Sequence, residues 1–401
     1  MEDNIQRILD SINEKRIAED TLDFLNVISE TGNEKKGCDF LINILKRENL
    51  DIIVDEFIDK RPNVYTSLSG INPEGGKSLM FNGHIDTIPI GISDPPEIKN
   101  NMIIGRGAED MKGGLIAVIH AISAIKKSKI NLSGDVSLTS VVGHETPIGQ
   151  KEGPKRLIEL LKSRKMTPDA IVITEGPNAI WTAGMGFINF TITIHSEKGS
   201  IHTINTTYSE NPIYWAGKIL MELQNLELEF ENSGYHQLCG RNQLNIGKIN
   251  GGDYFNRLPS DVTINGTLRW NPNYKMKDIL SKLQGICSKI SKKSNLKTNL
   301  TIEENATKQP FQTSLDHPII NSLKNAGKKV TKKSPEIIGM ALSTDANLYS
   351  YHTKIPTVGF GPQYKTAHSD HEKISINSLH EASKIYALTA IEYCGIYKNK
   401  S

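Results

Sequence analysis

Cysteine is scarce: 4 in 401 residues, at positions 38, 239, 287 and 394, with no Cys-x-x-Cys pair. That spacing excludes a metal knuckle and argues against a disulfide framework. Buried thiols in a reducing compartment are the expectation. No sign of charge dominates, since 47 Lys and Arg against 45 Asp and Glu leave a net charge of +2. Such a chain has no field to recruit nucleic acid or an anionic membrane, and neither partner is expected. The pairs Lys328-Lys329 and Lys332-Lys333 read as a solvated helix end. No stretch approaches the roughly 18 apolar residues of a membrane span. The first residues, Met1-Glu2-Asp3-Asn4-Ile5-Gln6-Arg7, carry acids where a secretory leader would be apolar. Internal repeats and low-complexity tracts are also missing. A cytoplasmic protein is the default expectation.

What is present is length and alternation. A chain of 401 residues suggests two domains rather than one. Ile5, Ile8, Leu9 and Ile12 recur at helical spacing. Strand-like runs at 51–57, 64–68, 78–81, 135–142 and 170–174 then intermix with helical runs at 112–127 and 153–162. That order predicts an α/β sheet covered on both faces. Near Gly184-Met185-Gly186 the pattern changes. Ile188, Phe190, Ile192 and Ile194 alternate with Asn189, Thr191, Thr193 and His195, a strand with one wet face. A helix (211–226), a strand (243–249), an alternating strand through Val262, Ile264, Gly266, Leu268 and Trp270, a helix (277–290) and a strand (297–303) follow. The order βαββαβ predicts a ferredoxin-like domain over 186–304, inserted into a discontinuous α/β domain of 1–185 and 305–401. The α/β pattern resumes with a helix at 317–330, a strand at 356–360 and a long helix from Asn377.

The chemistry gathers at the predicted strand ends, where ligands of open α/β sheets collect. Asn82-Gly83-His84-Ile85-Asp86-Thr87 ends one strand. Gly105-Arg106-Gly107-Ala108-Glu109-Asp110-Met111-Lys112-Gly113-Gly114 sets Asp110 in a glycine-rich turn 26 positions later (110 − 84). Glu145, Glu175 and His368 come after three further strands. A single acid in such a place is usually a helix cap. Two histidines and three carboxylates at one sheet edge suit two zinc-like ions with one bridging carboxylate. Glu109 reads as a solvated turn residue, and His195 and His236 as surface residues. Gly105-Arg106-Gly107 lacks the spacing of a dinucleotide fingerprint, and Lys112-Gly113 lacks the Ser or Thr of a P-loop.

These blocks resemble the dinuclear zinc amidohydrolases and exopeptidases that include acetylornithine deacetylase, succinyl-diaminopimelate desuccinylase, aminoacylase and glutamate carboxypeptidase. The resemblance runs over nearly the whole chain. It implies a mixed-sheet, zinc-exopeptidase-like catalytic domain with an inserted lid and dimerisation domain, hence a homodimer. It also implies two divalent metal ions, zinc first with cobalt or manganese as alternatives. One ion would be held by His84, Asp110 and Glu175, the other by Glu145, Asp110 and His368, with a cis peptide after Asp110. Asp86 would support His84 through the second imidazole N–H, and His202 of the inserted domain would stabilise a tetrahedral oxyanion. Asn256, in Phe255-Asn256-Arg257-Leu258-Pro259, and Arg269, in Leu268-Arg269-Trp270-Asn271-Pro272, match substrate-contacting lid positions. Arg269 reads equally well as a charge on the wet face of its strand.

Two positions depart from that family. It places two consecutive glutamates after the third strand, a general base and then a metal ligand. Here Val142-Gly143-His144-Glu145 keeps the ligand and puts His144 at the base position. A neutral imidazole can accept a proton near working pH, so His144 is expected to shuttle it. Asn347, in Leu342-Ser343-Thr344-Asp345-Ala346-Asn347, stands where many family deacylases carry the arginine that pairs with a substrate carboxylate. Asparagine cannot form that bidentate fork. The expected function is hydrolysis of an amide-type C–N bond in a small molecule by metal-bound hydroxide, with deacylation of an N-acyl amino acid the leading case. A dipeptidase or an aminohydrolase is the alternative, and a catalytically inactive metal-binding relative is the reading from another class.

Overall fold

The structure is a computed structural model that describes residues 2–71, 75–145 and 148–397. The chain forms two compact units, residues 1–182, 312–338 and 348–401 in the first and 183–311 with 339–347 in the second. The expected insertion of 186–304 is thus enlarged at both ends. It also gains a second stretch, 339–347, which the sequence pattern places in the other domain.

The first unit is built on a mixed sheet. Its strands run in the order Ile53–Asp55, Asn63–Leu68, Val136–Val141, Leu79–His84, Ala170–Ile173, Thr357–Gly359, Ile180–Gly184 and Phe311–Gln312, and Ile337–Met340 pairs with Ile180–Gly184. The four strands from Val136–Val141 to Thr357–Gly359 run parallel. Antiparallel strands flank them on both sides. Parallel strands need helical crossovers, which cover both faces, and Leu79–His84 and Ala170–Ile173 are accordingly buried along their whole length. The helix Lys112–Lys127 is apolar on all sides and is buried almost throughout. It packs against the C-terminal helix Ile376–Cys394, whose start is capped by Ser375 accepting from the Ser378 amide. Gly114 lets the same helix lie close against the end of the strand Ala170–Ile173, because a Cβ there would lie 2.1 Å from the Thr174 carbonyl oxygen. Three short strands, Glu97–Lys99, Met102–Ile104 and Lys373–Ser375, form a separate small sheet that the sequence pattern did not reveal.

The second unit is a four-stranded antiparallel sheet, in the order Gln243–Gly251, Asp261–Trp270, Gly186–His195 and Lys297–Ile302. With the helices Pro212–Asn232 and Met276–Ser294 the order is βαββαβ, a ferredoxin-like arrangement. Strict alternation along Gly186–His195 buries Ile188, Phe190, Ile192 and Ile194. These meet Val262, Ile264, Leu268 and Trp270, and the helices contribute Ile219, Leu223, Leu283 and Cys287 to one core. Among the described residues no helix is long and apolar enough to cross a membrane.

Candidate metal centre

The parallel strands deliver their carboxyl ends to one place. His84 is the last residue of Leu79–His84, His144 and Glu145 come just after Val136–Val141, and Glu175 just after Ala170–Ile173. All four are buried. The His84 ring is fixed from behind, since Nδ1–H donates to the backbone carbonyl of Asp86 at 2.8 Å and Nε2 faces Asp110 Oδ1 at 2.9 Å. The carboxylate of Asp86 does not fill the expected role, because its nearer oxygen is 3.9 Å from Nδ1. It instead accepts from the His144 amide (3.1 Å), the Glu145 amide (2.9 Å) and the Thr31 hydroxyl (2.9 Å). A fully buried carboxylate demands donors, and the turn carrying His144 and Glu145 supplies them. Asp86 therefore positions that turn, and only its backbone orients His84.

Asp110 is the hub. Its Oδ1 meets His84, while its Oδ2 lies 3.1 Å from His368 Nε2 and 3.1 Å from the Tyr364 hydroxyl. His368 Nε2 is also 3.1 Å from Glu145 Oε1. His368 has φ 65, in the left-handed region, and the Asp110–Met111 peptide is cis. Ligand atoms of His84, Asp110 and Glu145 all lie within 4.8 Å of one another, as do those of His84, His144 and Glu175.

The turn that presents Asp110 is held by two further buried acids. Glu372 accepts from the amides of Glu109 (2.9 Å) and Asp110 (3.1 Å) and pairs with Arg106 at 2.8 Å. Glu109 corrects the expectation of a solvated residue. It is fully buried and accepts from Gln363 Nε2 (2.6 Å) and from the amides of Lys365 (2.9 Å) and Thr366 (2.5 Å). It thereby pins the loop that leads to His368. Lys112 is buried as well, donating to the carbonyls of Phe24 (3.2 Å) and Val27 (2.7 Å), and burial pushes its pKa down to about 7.

The histidines and carboxylates of the cluster stabilise each other's charge. Burial opposes a charged His84, yet the hydrogen bond to Asp110 and the negative charge there outweigh it and hold the imidazole pKa well above its ordinary value. Hydrogen bonds to Asp110 and Glu145 do the same for His368. Burial works against the ionised Asp110, but the bonds from His368 and His84 hold its carboxyl below the usual range. Protons on the histidines here balance carboxylates that would otherwise be buried and uncompensated. Imidazole nitrogens and carboxylate oxygens sharing one aspartate are a donor set suited to divalent cations, so the residues fit the metal ions that the sequence implied.

His144 takes a distinct place. Its ring lies parallel to that of His84, with centroids 4.0 Å apart and planes 7° from parallel. An imidazole lone pair lies in the plane of its ring. An ion in line with one of two stacked rings is displaced from the plane of the other, so the pair as arranged does not chelate a single ion. The Gly143 amide before it donates to Glu34 (3.1 Å), itself buried and held by Arg61 at 2.7 Å. Gly143 has φ 68, and a Cβ there would lie 2.4 Å from Glu152 Oε2.

The remaining predicted residues belong to the second unit. His202 Nδ1 accepts from the Ile204 amide at 3.2 Å, which assigns the ring proton to Nε2. That nitrogen lies 3.1 Å from the side-chain amide of Asn256, which must then turn its oxygen toward it. The structure thus brings His202 and Asn256 together, both in exposed positions. Arg269 is held by its own unit: its guanidinium lies 4.6 Å from the Phe187 ring centroid and donates to the Ala341 carbonyl at 2.9 Å. Asn347 is buried and fully engaged. It donates to the carbonyls of Met185 (3.0 Å) and Gln309 (2.6 Å) and accepts from the Thr344 amide (3.0 Å). Its amide ties 339–347 to the second unit, which corrects its assignment to substrate. His195 pairs with Asp261 at 2.9 Å. His236, expected at the surface, is buried and accepts from the Cys239 amide at 3.0 Å.

Sequence reasoning missed Tyr364 and Glu372. The hydroxyl of Tyr364 donates to Asp110, and burial followed by the charges of Glu175 and Asp110 raises its pKa. The signal that could have found them was position, since both lie within four residues of His368.

The family described as "Peptidase family M20/M25/M40" matches residues 80–392. The chain is similar to the succinyl-diaminopimelate desuccinylase of Wolbachia pipientis subsp. Culex pipiens (strain wPip), with 27% identity over 378 residues, covering 89% of this chain and 88% of that protein. It is similar to the N-formyl-4-amino-5-aminomethyl-2-methylpyrimidine deformylase of Bacillus subtilis (strain 168), with 28% identity over 370 residues and 84% of each chain covered. Among solved structures, aminopeptidase PepT from Bacillus cereus ATCC 10987 superposes with a TM-score of 0.78 at 20% identity, covering 96% of this chain and 99% of that one.

Proposed function

The chain belongs to peptidase family M20/M25/M40 and is a hydrolase acting on amide-type C–N bonds; from that premise we propose that it removes the acyl group from an N-acyl amino acid or a related small amide. The observation that carries this reading is the convergence of His84 and His368 on opposite oxygens of the buried Asp110, with Glu145 sharing His368 Nε2. His84, Asp110 and Glu175 would hold one divalent ion, and Glu145, Asp110 and His368 the other. The nitrogen and oxygen donors favour zinc, with cobalt or manganese as alternatives. Bound divalent ions supply Lewis acidity, polarising a carbonyl and lowering the pKa of water.

The chain's own residues account for the rest. Asp86 fixes the turn that aims His144 and Glu145. His144, at the family's base position, takes the proton from the attacking water and returns it to the leaving nitrogen. His202, with its proton on Nε2, is the proposed donor to the oxyanion. Asn256 and Arg269 are the proposed substrate contacts. Support for deacylation comes from the two relatives, whose names describe removal of a succinyl group and of an N-formyl group. Asn347 is committed to backbone groups, so a substrate carboxylate, where there is one, pairs elsewhere.

The same proposal places the enzyme in the cytoplasm as a homodimer joined through the second unit. Ile213, Tyr214, Met221 and Leu228 are exposed on the helix Pro212–Asn232, and Gln243–Gly251 is an edge strand of its sheet. The deciding experiment is turnover by zinc-loaded protein on N-acyl amino acids, dipeptides and amino-substituted acids, with and without chelator. Chelator-sensitive release of a carboxylic acid and an amine from an N-acyl substrate is the expected result. Release from dipeptides alone would replace deacylation with peptidase activity, and release of nothing would leave a metal-binding protein without catalysis.

A further inference from the structure

Asp110 receives three side-chain contacts, and they differ in kind. His84 Nε2 lies on Oδ1 at 2.9 Å, and His368 Nε2 lies on Oδ2 at 3.1 Å. Each is a contact that a metal ion must replace, because a nitrogen that ligates a metal has no proton left to donate. The third, from the Tyr364 hydroxyl to Oδ2 at 3.1 Å, uses an O–H and competes with neither nitrogen. Of these three contacts it is the one that can persist when both imidazoles turn to metal.

The phenol is also held firmly in place. Gln363 before it and Lys365 and Thr366 after it all donate to Glu109, and Glu109 is the residue preceding Asp110. Two successive acids thus grip one loop: Glu109 fixes its backbone, and Asp110 receives its aromatic hydroxyl. A carboxylate that must share two ions needs its plane fixed so that each oxygen faces a different histidine. A third donor on a rigid loop provides that, because free rotation about the Cβ–Cγ bond would swing the carboxylate plane out of line with the two histidines.

We propose that Tyr364 is a positioning residue that holds Asp110 in the orientation required to bridge two divalent ions, and so sets occupancy of the second ion. It rests on the two-ion part of the function proposed above but needs no substrate. An ion bound first can orient the carboxylate by itself. Without another constraint that ion turns the carboxylate to suit itself, while the second needs Oδ2 left facing His368, so loss of the hydroxyl on Oδ2 falls on the second binding step. One charge-assisted hydrogen bond corresponds to about tenfold in affinity or more.

The test is Tyr364→Phe, which keeps the ring and removes only the hydroxyl. Metal-free parent and variant are titrated with Co(II), following the visible absorption bands and the heat of binding, and the melting temperature of each metal-free protein is measured. The expected result is two ions in the parent, with a first affinity in the variant within about threefold of the parent and a second weakened about tenfold or more. The spectrum of the one-ion form should also persist to higher metal in the variant. Two unchanged affinities would overturn the proposal. So would equal weakening of both steps with a lowered metal-free melting temperature, which is the mark of a purely structural residue. A parent that binds fewer than two ions overturns it as well. A parent that binds two ions yet hydrolyses no amide removes the catalytic reading and leaves the titration to judge Tyr364 alone.

Discussion

The two units hold the polar residues proposed for the site by opposite means. In the first, Asp86, Glu109 and Glu372 are buried carboxylates that accept backbone N–H groups from the very loops that carry His144, Glu145, Asp110 and His368. Asp110, Glu145 and the loop leading to His368 are each held by such an acid. In the second, His202 and Asn256 are exposed and lean on each other, with the Ile204 amide as the fixed partner. Buried anions with satisfied donors rigidify a site, whereas exposed pairs can rearrange at little cost. Under the proposed function, the invariable task, holding cations, falls to the first unit and the adaptable one, meeting a substrate, to the second.

The comparison breaks most plainly if metal loss and catalytic loss separate in the wrong unit. His84→Ala removes a proposed metal ligand and leaves Asp110 Oδ1 without its histidine. Bound metal measured by atomic emission should drop, and turnover should fall by about three orders of magnitude or more. His202→Ala should lower kcat by about 10²–10³ with metal content unchanged, since it removes only the donor proposed for the oxyanion. If His202→Ala stripped metal from the protein, the division of tasks would be wrong.

A smaller effect sharpens the account of the supporting acids. Asp86→Asn preserves size but replaces one acceptor oxygen with a donor, opposite two backbone amides and a hydroxyl. Metal affinity by competition with a chelator should weaken about 10–100-fold, as for other residues that orient ligands. Equal affinity in the variant would mean that the His144–Glu145 turn keeps its shape without Asp86.

Reading the chain in one dimension went far for the sheet and the ligands. Parallel strands place their carboxyl ends together, so His84, Glu145 and Glu175 could be located from the polar residues at the end of each apolar run, and the alternation through Ile188–Ile194 announced the second sheet. What escaped depends on distant partners. Glu109 looked solvated because the residues that bury it, 363 to 366, lie about 250 positions away. Asp86 was assigned to its sequence neighbour His84, and its donors come from 144 and 145. Asn347 resembled a changed substrate contact, but a buried amide with three backbone partners is committed before any ligand arrives. The return of 339–347 to the second unit had no periodic signal at all.

The smallest expected effect contrasts ion pairs in the two units. Glu48, buried in the first, accepts from Arg16 (2.5 Å), Lys127 (2.6 Å) and the Ser123 hydroxyl (2.6 Å). Burial disfavours its charge, but Lys127 and Ser123 prevail and bring its pKa down to about 2. The unfolded chain carries an ordinary glutamate near 4.5. A depressed folded pKa contributes stability that is present above about 4.5 and disappears as pH falls toward 2, because the unfolded state then binds the extra proton. Glu229 in the second unit pairs with Lys282 at 2.6 Å but is half exposed. Urea unfolding of metal-free protein at pH 6 and pH 3 should show Glu48→Gln losing about 1–2 kcal/mol of the pH-dependent stability, after allowance for screening. Glu229→Gln should change it by a few tenths at most. Equal responses from the two variants would show that burial of carboxylates does not distinguish the units energetically, and would remove the physical basis for assigning them different tasks.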